Sequence, residues 1–142
     1  MRKKALITGA SRGIGRETAL VLAEEGYDLY LVCHRSKEKI EELKEELEAA
    51  YDIQVQTGLY DVSDPEAVET MIKEAGEVHV LINNAAISKV GLLTDMSLSE
   101  WKQVMDTNLN ALFYTCRLVI PQMVQRKEGK IITVSSVWGN VG

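Results

Sequence analysis

The string Thr8-Gly9-Ala10-Ser11-Arg12-Gly13-Ile14-Gly15 is the feature that most narrows the folds open to this chain. The short apolar run Ala5-Leu6-Ile7 precedes it. Ile14, Thr18, Ala19, Leu22 and Ala23 follow at helical spacing, with Gly26 as a stop. A dinucleotide pyrophosphate needs backbone N–H groups at close approach and the positive end of a helix dipole, and a glycine-rich turn between strand and helix supplies both. Gly9, Gly13 and Gly15 remove side chains that would block that approach. Taken alone, such a string is also compatible with an ordinary tight turn. Inside repeated strand–helix–strand units it marks a nucleotide site.

The repeated units are present. Leu29 to Cys33 reads as a second strand, and Ser36 is placed to cap a helix with the apolar stripe Ile40, Leu43, Leu47 and Ala50. Lys/Glu pairs at three- and four-residue spacing occupy its other face. Ile53, Val55 and Thr57 alternate with Gln54 and Gln56, as in a strand with one wetter face. Ser63-Asp64-Pro65-Glu66 has capping-box spacing and opens a helix ending near Gly76. Val78 to Ile82 reads as the fourth strand. Ser97-Leu98-Ser99-Glu100 is a second capping box, starting a helical region that reaches Arg126 and is expected to bend at Pro121. Ile131 to Val134 is the fifth strand. Near-continuous apolar strands alternating with helices predict an α/β fold, a doubly wound parallel sheet of the Rossmann type. The expected strand order is 3-2-1-4-5, stopping before a sixth strand, with residues 1–142 forming one dinucleotide-binding domain.

Charge and cysteine usage exclude several classes. The net charge of −5 argues against nucleic acid or an anionic membrane as a partner. No apolar run approaches the ~20 residues of a membrane span, so a cytoplasmic protein is expected. Cys33 and Cys116 lie in apolar surroundings without a CxxC pattern and read as small buried hydrophobes. His34 and His79 lack acidic or thiol neighbours at ligand spacing, and no metal is expected.

The first turn reads T-G-x-x-x-G-x-G, and Asp61-Val62, Asn83-Asn84-Ala85-Ala86, Asn108 and Ile132-Thr133-Val134-Ser135-Ser136 follow in order. In these motifs the chain resembles the short-chain dehydrogenase/reductases from Lys4 onward. The resemblance implies that Gly9, Ser11, Arg12, Gly13, Ile14 and Gly15 bind the cofactor, the glycines at its pyrophosphate. Asp61 and Val62 would flank the adenine, and Asn83, Ala85 and Ala86 would lie near the cofactor ribose. Ala86 replaces the family's usual glycine. Without the resemblance, Asp61 reads equally well as a residue of the turn before a helix.

Cofactor choice follows from charge. NAD selection uses a carboxylate ~20 residues past the glycines, at the end of the second strand. That count lands on Arg35, and no Asp or Glu occupies the strand end. Arg35 and Arg12 are suited to a 2′-phosphate, so NADP(H) is expected, although either arginine alone could be a solvated surface residue.

For chemistry, the resemblance gives Ser136 the role of polarising a substrate carbonyl. It gives Asn108 a helix irregularity whose carbonyl holds a proton-relay water; read alone, Asn108 is a surface position on a helix and Ser136 the end of a strand. The family's Tyr-x-x-x-Lys is not found: none of Tyr27, Tyr30, Tyr51, Tyr60 or Tyr114 has Lys four residues on. Gly91-Leu92-Leu93 and Met96 to Trp101 resemble the 3-oxoacyl-carrier-protein reductase branch. The expectation is an NADP-dependent carbonyl reductase acting on a small-molecule or carrier-bound ketone, as a homodimer or homotetramer. The alternative is a non-catalytic NADP-binding module. A flavodoxin-like or receiver domain fits less well, because it would not carry the G-x-x-x-G-x-G turn.

Overall fold

Ala5, Leu6 and Ile7 have no polar side-chain atoms to solvate, and all three are fully buried in the first strand, β1 (Lys4–Thr8). The computed structural model describes residues 1–140. After β1 come α1 (Gly13–Glu24), β2 (Asp28–Cys33), α2 (Lys37–Ala50), β3 (Val55–Leu59), α3 (Pro65–Ala75) and β4 (Val80–Asn83). Then follow α4 (Leu98–Met105), a π-helical turn (Asp106–Asn110), α5 (Ala111–Arg126) and β5 (Lys130–Thr133). The five strands pair in parallel in the order β3-β2-β1-β4-β5. That is the expected doubly wound sheet.

Alternation along each strand divides the core into two layers. Ala5, Ile7, Leu29, Leu31 and Ile82 pack with Ala19 and Ala23 of α1 and with Ile40, Leu43 and Leu47 of α2. Leu6, Tyr30, Val32 and Leu81 point the other way, onto Val68 and Met71 of α3 and Val119 and Met123 of α5. Covering β1 and β2 on both faces is what allows them to be apolar throughout. Cys33 is buried and Cys116 half-buried, and both are free thiols. Among the described residues no helix is long and apolar enough to cross a membrane.

Several local expectations need correction. Ile14 was expected on the inner stripe of α1 but is 61% exposed, because Gly15, Ala19 and Ala23 form the inner face and let the helix lie close to the sheet. Ile14, Val21 and Ile132 instead edge a groove of about 710 Å³ with Val80 and Ile82 alongside. Ala50 is exposed at the end of α2. Ser36 takes the N-cap position of α2 without a side-chain cap bond. At α3 the cap is Asp64, whose Oδ1 accepts from Glu66 N–H at 3.0 Å, while Ser63 is drawn back onto Asp61. The second capping box forms as expected, with both Ser97 and Glu100 bonds made. Pro121 lies inside α5, which continues to Arg126. The irregularity of this helical region falls earlier, at the π-helical turn.

Candidate functional site

Thr8 closes β1 with a buried hydroxyl that joins two loops. Its Oγ1 accepts from the N–H groups of Asn84 (3.0 Å) and Ala85 (3.1 Å) and donates to the Ile82 carbonyl (3.4 Å). In return, Asn84 Nδ2 donates to the carbonyls of Thr8 (3.2 Å) and Gly9 (3.0 Å). The glycine-rich turn is therefore fastened to the loop after β4, across the point where strand order reverses. A second tie runs from Ala10 N–H to the Val32 carbonyl at 3.0 Å, onto the end of β2.

The turn has a sharp path. Gly9 has φ +65°, and a Cβ there would lie 2.9 Å from Ala85 Cα. Gly15 answers to a different constraint from the one expected. A Cβ there would sit 2.2 Å from the Gly9 carbonyl oxygen, so its bareness lets the turn close on α1.

These ties enclose a crevice of about 510 Å³ at the carboxyl ends of β1 to β4. Gly9, Ser11, Arg12 and Gly13 form one wall, and Arg35 stands at the tip of β2. Asp61 and Val62 follow β3, and Ala85 and Ala86 follow β4. The structure thus gathers nine sequence-expected residues around one space. Ile14, Gly15 and Asn83 are not among its lining. Asn83 is a correction: its Oδ1 accepts from Thr115 Oγ1 at 2.9 Å, because strand alternation turns the side chain onto α5. Asn84, the next residue, takes the place on the crevice wall.

Asp61 is prepared as an acceptor. Burial pushes its carboxyl up, but the hydroxyl and N–H of Ser63 and the nearby His34 and Arg35 outweigh this and hold it below the usual carboxylate range. Both Ser63 bonds end on Oδ1, at 2.7 and 3.0 Å. Oδ2 faces His34 Nε2 at 3.8 Å. With Arg12 and Arg35 against one carboxylate among the described lining residues, the crevice is locally cationic in a chain of net charge −5. A turn at a helix N-terminus, a carboxylate acceptor and two guanidinium groups fit a dinucleotide.

Asn108 lies in the π-helical turn, as the expected helix irregularity requires. Its side chain makes a reciprocal pair with Ile87: Nδ2 donates to the Ile87 carbonyl (2.8 Å), and Oδ1 accepts from the Ile87 N–H (2.9 Å). The pair fixes the loop that carries Ala85 and Ala86. Ser136 is exposed beyond β5, outside the crevice lining, and its Oγ accepts from Trp138 N–H at 3.3 Å. Thr8 and Asn84 stand in the quoted motifs without a site role of their own, His34 was weighed only as a metal ligand, and Ile87 was not singled out. A polar residue ending an apolar strand was the available signal for Thr8.

A family model described as short chain dehydrogenase matches residues 3–142. The chain belongs to this family. The 3-oxoacyl-[acyl-carrier-protein] reductase of Staphylococcus aureus is 45% identical over 150 residues, an alignment covering 100% of this chain and 59% of that protein. The chain thus spans about three-fifths of that relative. Among solved structures, a metagenomic short-chain oxidoreductase in complex with NADP is 32% identical, with TM-score 0.87 over 94% of this chain and 62% of that one. A bulky-bulky ketone specific alcohol dehydrogenase from Comamonas testosteroni is 27% identical, with TM-score 0.91 over 98% of this chain and 57% of that one.

Proposed function

We propose that residues 1–142 form the NADP(H)-binding domain of a short-chain carbonyl reductase whose ketone is a 3-oxoacyl thioester or a close analogue. The observation that carries the reading is the crevice itself, which gathers Arg12 and Arg35 around one space, with no Asp or Glu at the end of β2 in sequence. In this assignment Gly9, Ser11, Gly13 and the start of α1 receive the pyrophosphate, and Asp61 and Val62 hold the adenine. Ala85 and Ala86 border the ribose on the nicotinamide side. The S. aureus relative's printed name supports the thioester, and the NADP complex of the metagenomic structure supports the cofactor.

The bound cofactor supplies hydride to a carbonyl carbon. Ser136 Oγ–H donates to the carbonyl oxygen as charge develops there. Asn108 anchors the loop through Ile87, and its main-chain carbonyl would be the acceptor for a proton-relay water.

A second reading is a cofactor-binding module without turnover. No Tyr in the sequence has Lys at the fourth position after it, and a positioned general acid contributes ~10²–10⁴-fold. The 142-residue polypeptide is therefore expected to bind NADP⁺ with little turnover of an acetoacetyl thioester. Calorimetric titration beside a turnover assay tests both readings. Equal dissociation constants for NADP⁺ and NAD⁺ would sink the cofactor assignment. Turnover matching that of a version extended through a Tyr-x-x-x-Lys segment would sink the assignment of the chemistry.

A further inference from the structure

His34 directly follows β2, next to Arg35, and its Nε2 lies 3.8 Å from Asp61 Oδ2 with the side chain 52% exposed. Its ring also lines the crevice. The other ionisable groups on that wall, among the described residues, are Arg12 from the glycine-rich turn, Arg35 and Cys33 from the β2 end, and Tyr60 and Asp61 after β3. Burial pushes the Cys33 thiol and the Tyr60 hydroxyl up, so neither carries charge near neutrality. The charge of the wall is then set by two arginines, one carboxylate and the imidazole. Arginine stays charged at every physiological pH, whereas histidine changes charge between about pH 5 and 8.

We propose that His34 is a third determinant of cofactor choice, donating in its imidazolium form to the 2′-phosphate of NADP(H). The inference rests on the reading of the crevice as an NADP(H) site. It goes beyond that reading by making the preference graded: Arg12 and Arg35 give a constant contribution, and His34 adds one that grows as pH falls. NAD(H), which lacks the phosphate, gains nothing from the protonated ring. A charge-assisted hydrogen bond of this kind corresponds to about tenfold in affinity. The ligand opposes part of this, because a phosphate monoester takes up its second proton near pH ~6. That opposing effect belongs to the ligand and is common to every variant.

The test is calorimetric binding of NADP⁺ and NAD⁺ to the 142-residue chain at constant ionic strength, near pH 6 and pH 8. The unmodified chain is compared with His34→Gln and His34→Lys. The ratio of the NADP⁺ dissociation constant at high pH to that at low pH should be about tenfold larger in the unmodified chain than in His34→Gln. NAD⁺ should show no such difference, and His34→Lys should bind NADP⁺ tightly at both pH values. Equal ratios in the unmodified chain and His34→Gln, with NADP⁺ still preferred, would overturn the role of His34 and leave the arginine reading standing. A pH effect shared by NAD⁺ would place it at the adenine rather than the phosphate, and would also overturn the proposal. No preference for NADP⁺ at either pH would overturn both.

Discussion

The Thr8 hydroxyl accepts from two N–H groups of the loop after β4 at a position 2% exposed, so removing it leaves two part-buried donors without that partner. Each such loss costs about 1–3 kcal/mol, and Thr8→Val should lower stability by about 2 kcal/mol or more in urea unfolding, with Thr8→Ser close to unchanged. A Val variant as stable as the parent would mean that the two loops hold without the hydroxyl. Arg35→Asp should weaken NADP⁺ by at least about tenfold while relatively favouring NAD⁺, as paired titrations would report. Asp61 carries a pH consequence. A carboxyl lowered on folding stabilises above its unfolded value of about 3.9 and loses that contribution as pH falls through its folded value. Its loss is therefore confined to acid. Ser63→Ala removes the hydroxyl bond and keeps the backbone N–H bond, so Asp61 should titrate at higher pH in carboxyl-carbon NMR. An unmoved titration would assign the lowering to the Ser63 N–H, His34 and Arg35.

At the scale of elements, capping patterns were readable to within one residue. Ser97 to Glu100 formed as spaced, but at α3 the cap moved from Ser63 to Asp64, because Ser63 is held by Asp61. Asp64→Ala should therefore cost about 1 kcal/mol of stability in denaturant unfolding, whereas Ser63→Ala should leave the α3 cap intact. Strand periodicity exposed the sheet because β1 and β2 are buried on both faces, which leaves little choice of residue type. It could not show which of Asn83 and Asn84 faces the crevice, since that depends on where β4 ends and α5 begins to cover it. The π-helical turn at Asn108 followed from the family resemblance. Local propensity gave only a mediocre helix former there.

For the whole molecule, the order 3-2-1-4-5 was legible because alternating units with short connections leave few arrangements. The placement of Ser136 outside the crevice lining was not, since sequence order does not fix how far a residue beyond a strand stands from a pocket. The outer surface of α5 and the turn before it remains apolar. Leu109, Phe113, Ile120 and Val124 are all exposed, with the Arg117 guanidinium 5.8 Å from the Phe113 ring centre. Such a surface suits a second copy of the chain about a two-fold axis. Light scattering at tens of micromolar should therefore report a dimer, and Phe113→Glu should shift it toward monomer. A parent chain that is already monomeric would exclude this surface as the contact. The bonds joining Thr8 and Asn84 have a further effect. The turn and the loop after β4 are one mechanical body, so a ligand fragment confined to the adenine end, such as 2′,5′-ADP, should slow amide exchange at Ala85 and Ile87 without touching them. The nicotinamide fragment would then meet a loop already held by the first, and the two fragments would bind cooperatively with no change of shape.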